Sequence, residues 1–202
     1  MQRDFCARGG YADTAGLDIS LLRAIIPNVK SLLDAFRAEG LPVIFTREGH
    51  LPDLSDCTAA KLERSKRAGA PIGSVGPLGR LLIRGEYGQD MVDELAPVVG
   101  ERVIDKPGYS AFPHTELQDV LSQKNIQQLI ITGVTTEVCV HSTLRDAVDR
   151  GYRCMTISDA CASPYPNLHQ AALEMIGVEG GIFGVVADTA TVVAALGAAK
   201  AK

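Results

Sequence analysis

At 202 residues, 46% hydrophobic and 22% charged, the chain is long enough to bury one core and too apolar to remain unfolded. Its formal charge of -4 comes with no basic stripe for nucleic acid, no apolar run approaches the ~20 residues a membrane span needs, and the start MQRDFCARGG lacks a signal-peptide layout. One cytoplasmic domain over residues 1–197 is expected, followed by an Ala/Lys tail at 198–202.

Leu22, Ile25, Ile26, Val29, Leu32, Leu33 and Phe36 recur at three- and four-residue intervals, which predicts one amphipathic helix over residues 21–38, stopped by Gly40. LPVIFT at 41–46 reads as a buried strand. Residues 47–88 are rich in Gly and Pro and form a long excursion, of the kind that usually carries function in compact domains. Alternation then resumes as strand 102–106, helix 115–123, strand 127–134, helix 136–150, strand 153–158, helix 168–177, strand 181–187 and helix 189–196. Apolar strands separated by helices predict a doubly wound α/β fold, a mainly parallel sheet with helices on both faces. Ligands bind beyond the C-terminal strand ends of such sheets, which singles out residues 46–48, 105–107, 133–135 and 159–160.

TGVTTEVC at 132–139 carries the chain from an apolar strand into a helix. With Thr136 as N-cap, Cys139 falls in the first turn, where the helix terminus favours thiolate and unpaired amides can hold an oxyanion. Taken alone, a packed helix cysteine accounts for this residue equally well. Lys106 ends another central strand before Pro107 and Gly108 and faces the same crevice; its ammonium would depress the thiol pKa further, although a lone lysine there is more often a solvated loop residue.

The five cysteines include no C-x-x-C pair, so neither a disulfide framework nor a zinc cluster is indicated, and the four histidines are scattered. No metal and no cofactor are expected. GSVGPLG at 73–79 lacks a phosphate-loop ending, and no G-x-S-x-G elbow occurs.

Asp105-Lys106-Pro107 with Ser110-Ala111-Phe112, TGVTTEVC, Thr143-Leu144-Arg145-Asp146-Ala147 and Ser158-Asp159-Ala160 together resemble the isochorismatase-like cysteine hydrolases. Thr46-Arg47-Glu48-Gly49-His50 and Gly180-Gly181-Ile182-Phe183-Gly184 resemble the biuret hydrolase branch in particular. The resemblance implies a Cys-Lys-Asp triad that cleaves amides through a thioester-type intermediate, with Cys139 and Lys106 as two of its members. It also implies a cis peptide at Val134-Thr135 that turns the amides of Thr135 and Cys139 toward the oxyanion, and substrate contacts from Arg47, Glu48, Phe112, Glu179 and Phe183. The expected substrate is a small amide or ureide, and the expected assembly a homo-oligomer, dimer or tetramer. The stretch 47–54 lacks the ligand set of the metal-bearing nicotinamidase branch.

Two departures qualify that expectation. The family's general-base aspartate directly precedes the position matched by Met1, so a coding segment upstream, a first strand ending in aspartate, is expected; Asp4 matches a structural aspartate instead. Glu179 stands where the biuret branch has glutamine, and a carboxylate only accepts hydrogen bonds, which favours donor-rich or cationic substrates. The alternatives are a vinyl ether hydrolase of the isochorismatase type, which needs no thiol, and an inactive relative.

Overall fold

Pro27 decides how the chain uses its first long apolar stretch. Proline is tolerated in the first turn of a helix, where its missing N–H costs nothing, and there it starts a new helix. In the computed structural model, which describes residues 1–199, the single helix expected over 21–38 is therefore two, α3 (Ile19–Ala24) and α4 (Ile26–Ala38), meeting at Ile25. Two short helices precede them, α1 (Arg3–Cys6) and α2 (Tyr11–Thr14).

Pro42 has no N–H to give a ladder, and β1 (Ile44–Glu48) accordingly begins later than expected and runs further, through Arg47 and Glu48. The excursion that follows contains α5 (Ala59–Arg67) and a small antiparallel hairpin of β2 (Val75–Gly76) and β3 (Gly79–Arg80). It has a core of its own, in which Ala70, Ile72, Leu81, Leu82 and Ile83 pack with Tyr11. Asp4 ties the two parts together: its carboxylate accepts from the amides of Tyr11 at 3.2 Å and Leu82 at 3.0 Å. Gly88 is required there, because a Cβ would lie 2.8 Å from Asp4 Oδ1.

β4 (Arg102–Lys106) pairs with β1 in parallel, Arg47 opposite Asp105 and Glu48 opposite Lys106. Arg37 at the end of α4 clamps Glu101, just before β4, with two hydrogen bonds of 2.8 and 2.7 Å. After α6 (Leu117–Gln123) come β5 (Gln128–Val134), a π-helical turn (Thr136–Val140), α7 (His141–Asp149), β6 (Arg153–Ala162), α8 (Pro166–Gly181), β7 (Val185–Ala187) and α9 (Thr189–Ala199). β5, β6 and β7 form a second parallel ladder, with a register shift between Ile131 and Gly133. The last strand is shorter than the expected 181–187 because α8 runs on to Gly181 through a kink in which Glu179 and Gly180 take φ of 52° and 77°. α9 continues through Ala199, into the expected tail, and residues 200–202 lie outside the described ones.

Side chains alternate along β6 as a pleat requires. Cys154 enters a core shared with Leu117, Leu121, Leu144 and Ile176 of α6, α7 and α8, whereas Ile157 enters one shared with Leu32 of α4 and Val192 of α9. The result is the three-layer α/β arrangement. β1 and β5 belong to separate ladders, and a cavity of about 490 Å³ runs between them. Phe36, Ile44, Leu129 and Ile131 line its length, and Glu48, Lys106 and Cys139 line it at the C-terminal strand ends. Among the described residues, no helix is long and apolar enough to cross a membrane.

Candidate active site

The register of β1 with β4 sorts four charged residues into two pairs on opposite faces. Successive strand residues point to opposite sides, so Arg47 and Glu48 part company although they are adjacent. Arg47 donates to Asp105 at 2.8 and 3.1 Å and to Asp90 at 3.0 Å. Glu48 turns the other way, where Lys106 Nζ lies 3.6 Å from its Oε2. Both side chains are nearly sealed from solvent, each 4% exposed.

Cys139 reaches this pair from the π-helical turn that follows β5. The cap residue is Thr135, in extended conformation, and not the expected Thr136; Thr136 lies inside the turn, fully buried, with its hydroxyl 2.8 Å from His169 Nδ1. The Val134-Thr135 peptide is cis. Cys139 Sγ lies 3.4 Å from Lys106 Nζ, which donates to it, and 3.4 Å from Glu48 Oε2, to which the thiol donates. The other two Lys106 protons go to the carbonyls of Gly108 and Tyr109, each at 2.8 Å. Lys106 is thereby fixed as a three-way donor.

The expected depression of the thiol is not what the site produces at rest. Burial pushes Cys139 up to about 11; Lys106 pulls it down and Glu48 pushes it up again. Desolvation of an anion thus outweighs one adjacent ammonium. Burial also opposes ionisation of Glu48, but Lys106 and Lys61 outweigh it and hold the carboxyl below the ordinary carboxylate value. The resting site is a neutral thiol beside a carboxylate and two ammonium groups.

Lys61, the second of those cations, was not singled out by sequence. It sits in the first turn of α5, capped by Thr58, 2.6 Å from Glu48 Oε1 and 2.6 Å from the Pro107 carbonyl, with its ammonium 4.9 Å from the centre of the Tyr109 ring. A cation at a helix N-terminus opposes the macrodipole, and that mismatch was the available signal that Lys61 is held there by something else. Gln2 was missed too: its amide accepts from Glu48 N at 2.7 Å and donates to Glu48 O at 2.7 Å, fixing that residue's backbone.

The remaining expected contacts lie elsewhere. Phe112 is a core residue, 4% exposed and stacked on Tyr152, because the turn after β4 folds it inward. Phe183 packs between the Arg145 guanidinium and the His141 ring. Glu179 is exposed in the α8 kink, and neither it nor Phe183 lines the cavity at Cys139. Among the described residues, no three His, Cys, Asp or Glu side chains are grouped to hold a metal ion.

Comparison with known proteins agrees with this geometry. Residues 1–191 match the isochorismatase domain. The chain is 37% identical over 194 residues to the ureidoacrylate amidohydrolase RutB of Yersinia enterocolitica, covering 95% of this chain and 84% of that protein. It is 36% identical to RutB of Serratia proteamaculans, covering 93% and 76%. The crystal structure of a cysteine hydrolase from Pseudomonas syringae pv. phaseolicola superposes with a TM-score of 0.82 at 28% identity, covering 98% of this chain and 90% of that one. With its parallel α/β core and a cysteine, a lysine and a carboxylate converging at the strand ends, the chain belongs to the isochorismatase-like cysteine hydrolase family.

Proposed function

We propose that this amidohydrolase cleaves a C–N bond of a small ureide through a thioester-type intermediate on Cys139. The observation that carries the reading is the placement of Sγ between the Lys106 ammonium and the Glu48 carboxylate, at the C-terminal ends of the parallel strands. A thiol at the start of a helical segment suits acyl transfer, because it attacks a carbonyl carbon and leaves again under the same groups. A vinyl ether reading has no use for that thiol. The names of the similar amidohydrolases, which specify ureidoacrylate, favour a ureide over a simple carboxamide.

The test is ammonia release from purified protein supplied with ureidoacrylate, biuret, N-carbamoyl amino acids and simple amides, with mass spectrometry of Cys139 during turnover. Ureide cleavage with an acyl adduct on Cys139 is expected. Turnover of a vinyl ether substrate alone, with no adduct, would sink the reading.

We propose two further features. A further parallel strand completes the sheet between β1 and β5, a reading supported by the apolar cavity that separates the two ladders. Sequencing the encoding DNA upstream of Met1 should show an in-frame apolar stretch, and a stop codon directly upstream would defeat the idea. A homo-oligomer is supported by the exposed apolar side chains of Tyr165, Leu168, Met175, Val178, Ile182 and Val185 around α8 and β7, and sedimentation velocity measures it.

A further inference from the structure

We propose that His169 is a positioning residue for the nucleophile, holding the turn that carries Cys139 through the hydroxyl of Thr136. The assignment rests on the acyl-transfer reading and deepens it, since it names what keeps the attacking sulfur in place.

Cys139 stands on an uncommon piece of backbone. Its turn, Thr136–Val140, is π-helical, and the Thr135 carbonyl accepts from both Val138 N and Val140 N, each at 3.2 Å. Such turns are rare beside the α-helical alternative and occur mostly as single insertions at functional sites, so contacts from outside must select this one. Those contacts come from β6 and α8. Beyond the register shift the β5–β6 ladder consists of two pairs, Gly133 with Cys161 and Val134 with Ala162. Just past them, fully buried Thr136 places its hydroxyl 2.8 Å from His169 Nδ1. His169 is itself fixed early in α8: its amide donates to the Tyr165 carbonyl at 3.0 Å, and Tyr165 N donates to Ser163 Oγ at 3.0 Å. Ser163 directly follows β6, so strand and helix reach the turn as one body.

The Thr136 hydroxyl lies where solvent does not reach, and loss of the imidazole therefore leaves it with no replacement partner. Burial lowers the His169 pKa more than the Glu137 carboxylate raises it. The ring is thus neutral at neutral pH, and Nδ1 exchanges one hydrogen bond with the hydroxyl in either tautomer. Freed from this tie, the turn relaxes toward α-helical pairing and carries Sγ away from its 3.4 Å contact with Lys106 Nζ. A displacement of about 1 Å at a reacting atom costs on the order of 10²-fold in rate. The contact is made by Nδ1 and not by Nε2, which gives the role a stereochemical signature: asparagine places a polar atom near the position of Nδ1, glutamine near that of Nε2.

The test measures kcat, KM and the thermal midpoint on the best ureide from the panel, for His169→Leu, His169→Asn, His169→Gln, Thr136→Val and the double variant Thr136→Val with His169→Leu. In His169→Leu and Thr136→Val we expect kcat to fall about 10- to 100-fold with KM within about threefold of wild type, because alignment of the sulfur is lost and binding of the ureide is not. The double variant should fall no further than either single one, since both remove the same bond. His169→Asn should recover to within about fivefold of wild type, and His169→Gln should not. If His169→Leu fails to fold, the nearly isosteric Thr136→Val carries the same measurement. A kcat within about threefold of wild type in either folded single variant, multiplied losses in the double variant, or equal activity in His169→Asn and His169→Gln would overturn the assignment. Wild-type protein that turns over the ureide with no adduct on Cys139 would overturn the acyl-transfer reading and this assignment with it, whereas the variant results overturn the assignment alone.

Discussion

Glu48 and Lys106 are register partners on neighbouring parallel strands, and their side chains meet on one face at the strand ends, 3.6 Å apart. One residue earlier the same register produces the Arg47–Asp105 pair on the other face. A single ladder therefore builds two ion pairs, one beside the thiol and one beneath it.

Removing the members of the first group should separate chemistry from folding. Cys139→Ser should lose nearly all turnover with a stability change within about 1 kcal/mol, because a hydroxyl can still donate to Glu48 and accept from Lys106. Lys106→Met should lose turnover and also about 3 kcal/mol of stability, since a buried carboxylate and two carbonyls are left without their donor. Urea unfolding with parallel assays measures both effects. Equal stability losses in the two variants would contradict this account of the site.

The thiol's ionisation gives a second check. With Cys139 pushed up to about 11, its alkylation by iodoacetamide should accelerate roughly tenfold per pH unit between about pH 7 and pH 10, without a plateau near neutrality. Glu48 is one of the groups pushing it up, so Glu48→Gln should speed alkylation at fixed pH. Peptide mapping of labelled Cys139 against pH reads this directly; a rate flat in pH would mean the thiol is already ionised.

Asp4 should make stability depend on mild acid. Burial raises its carboxyl to about 6, partly offset by the amides of Leu82 and Tyr11. A folded-state pKa above the unfolded value means that the folded chain binds the extra proton. The contribution is thus complete below about pH 4 and is lost as pH rises through about 6, a change on the order of 3 kcal/mol. The difference in unfolding free energy between wild type and Asp4→Asn should slope across that window and be flat above it. A difference constant from pH 4 to 8 would refute this.

Arg47 belongs to the opposite face and should act on stability. Its guanidinium holds both oxygens of Asp105 and one of Asp90 while only partly exposed, so Arg47→Met should cost about 1–2 kcal/mol in urea unfolding. No measurable loss would mean that solvent already satisfies Asp105.

The alternation of strands and helices was legible because apolar periodicity is local, and so was the pairing of Cys139 with Lys106, since strand ends of a parallel sheet converge on one edge. Errors came where a single residue overrode the period: Pro27 divided a helix and Pro42 delayed a strand, while the strand's unexpected run through residue 48 placed Arg47 and Glu48 on opposite faces. Phe112 could not be assigned from its motif, because only the turn after β4 decides whether it points to ligand or core. Lys61 and Gln2 reach Glu48 from positions 13 and 46 residues away in sequence, and no local pattern encodes such a contact.

Lys61 is carried by the excursion, whose own small core and Asp4 anchor hold it against the sheet. A segment with a core of its own can open without unfolding of the whole chain, at a smaller free-energy cost. Any such opening would withdraw Lys61 from Glu48 and take the site apart without global unfolding. By reciprocity, a ligand that grips the assembled groups must slow amide exchange throughout the excursion, including at hairpin residues that never touch it.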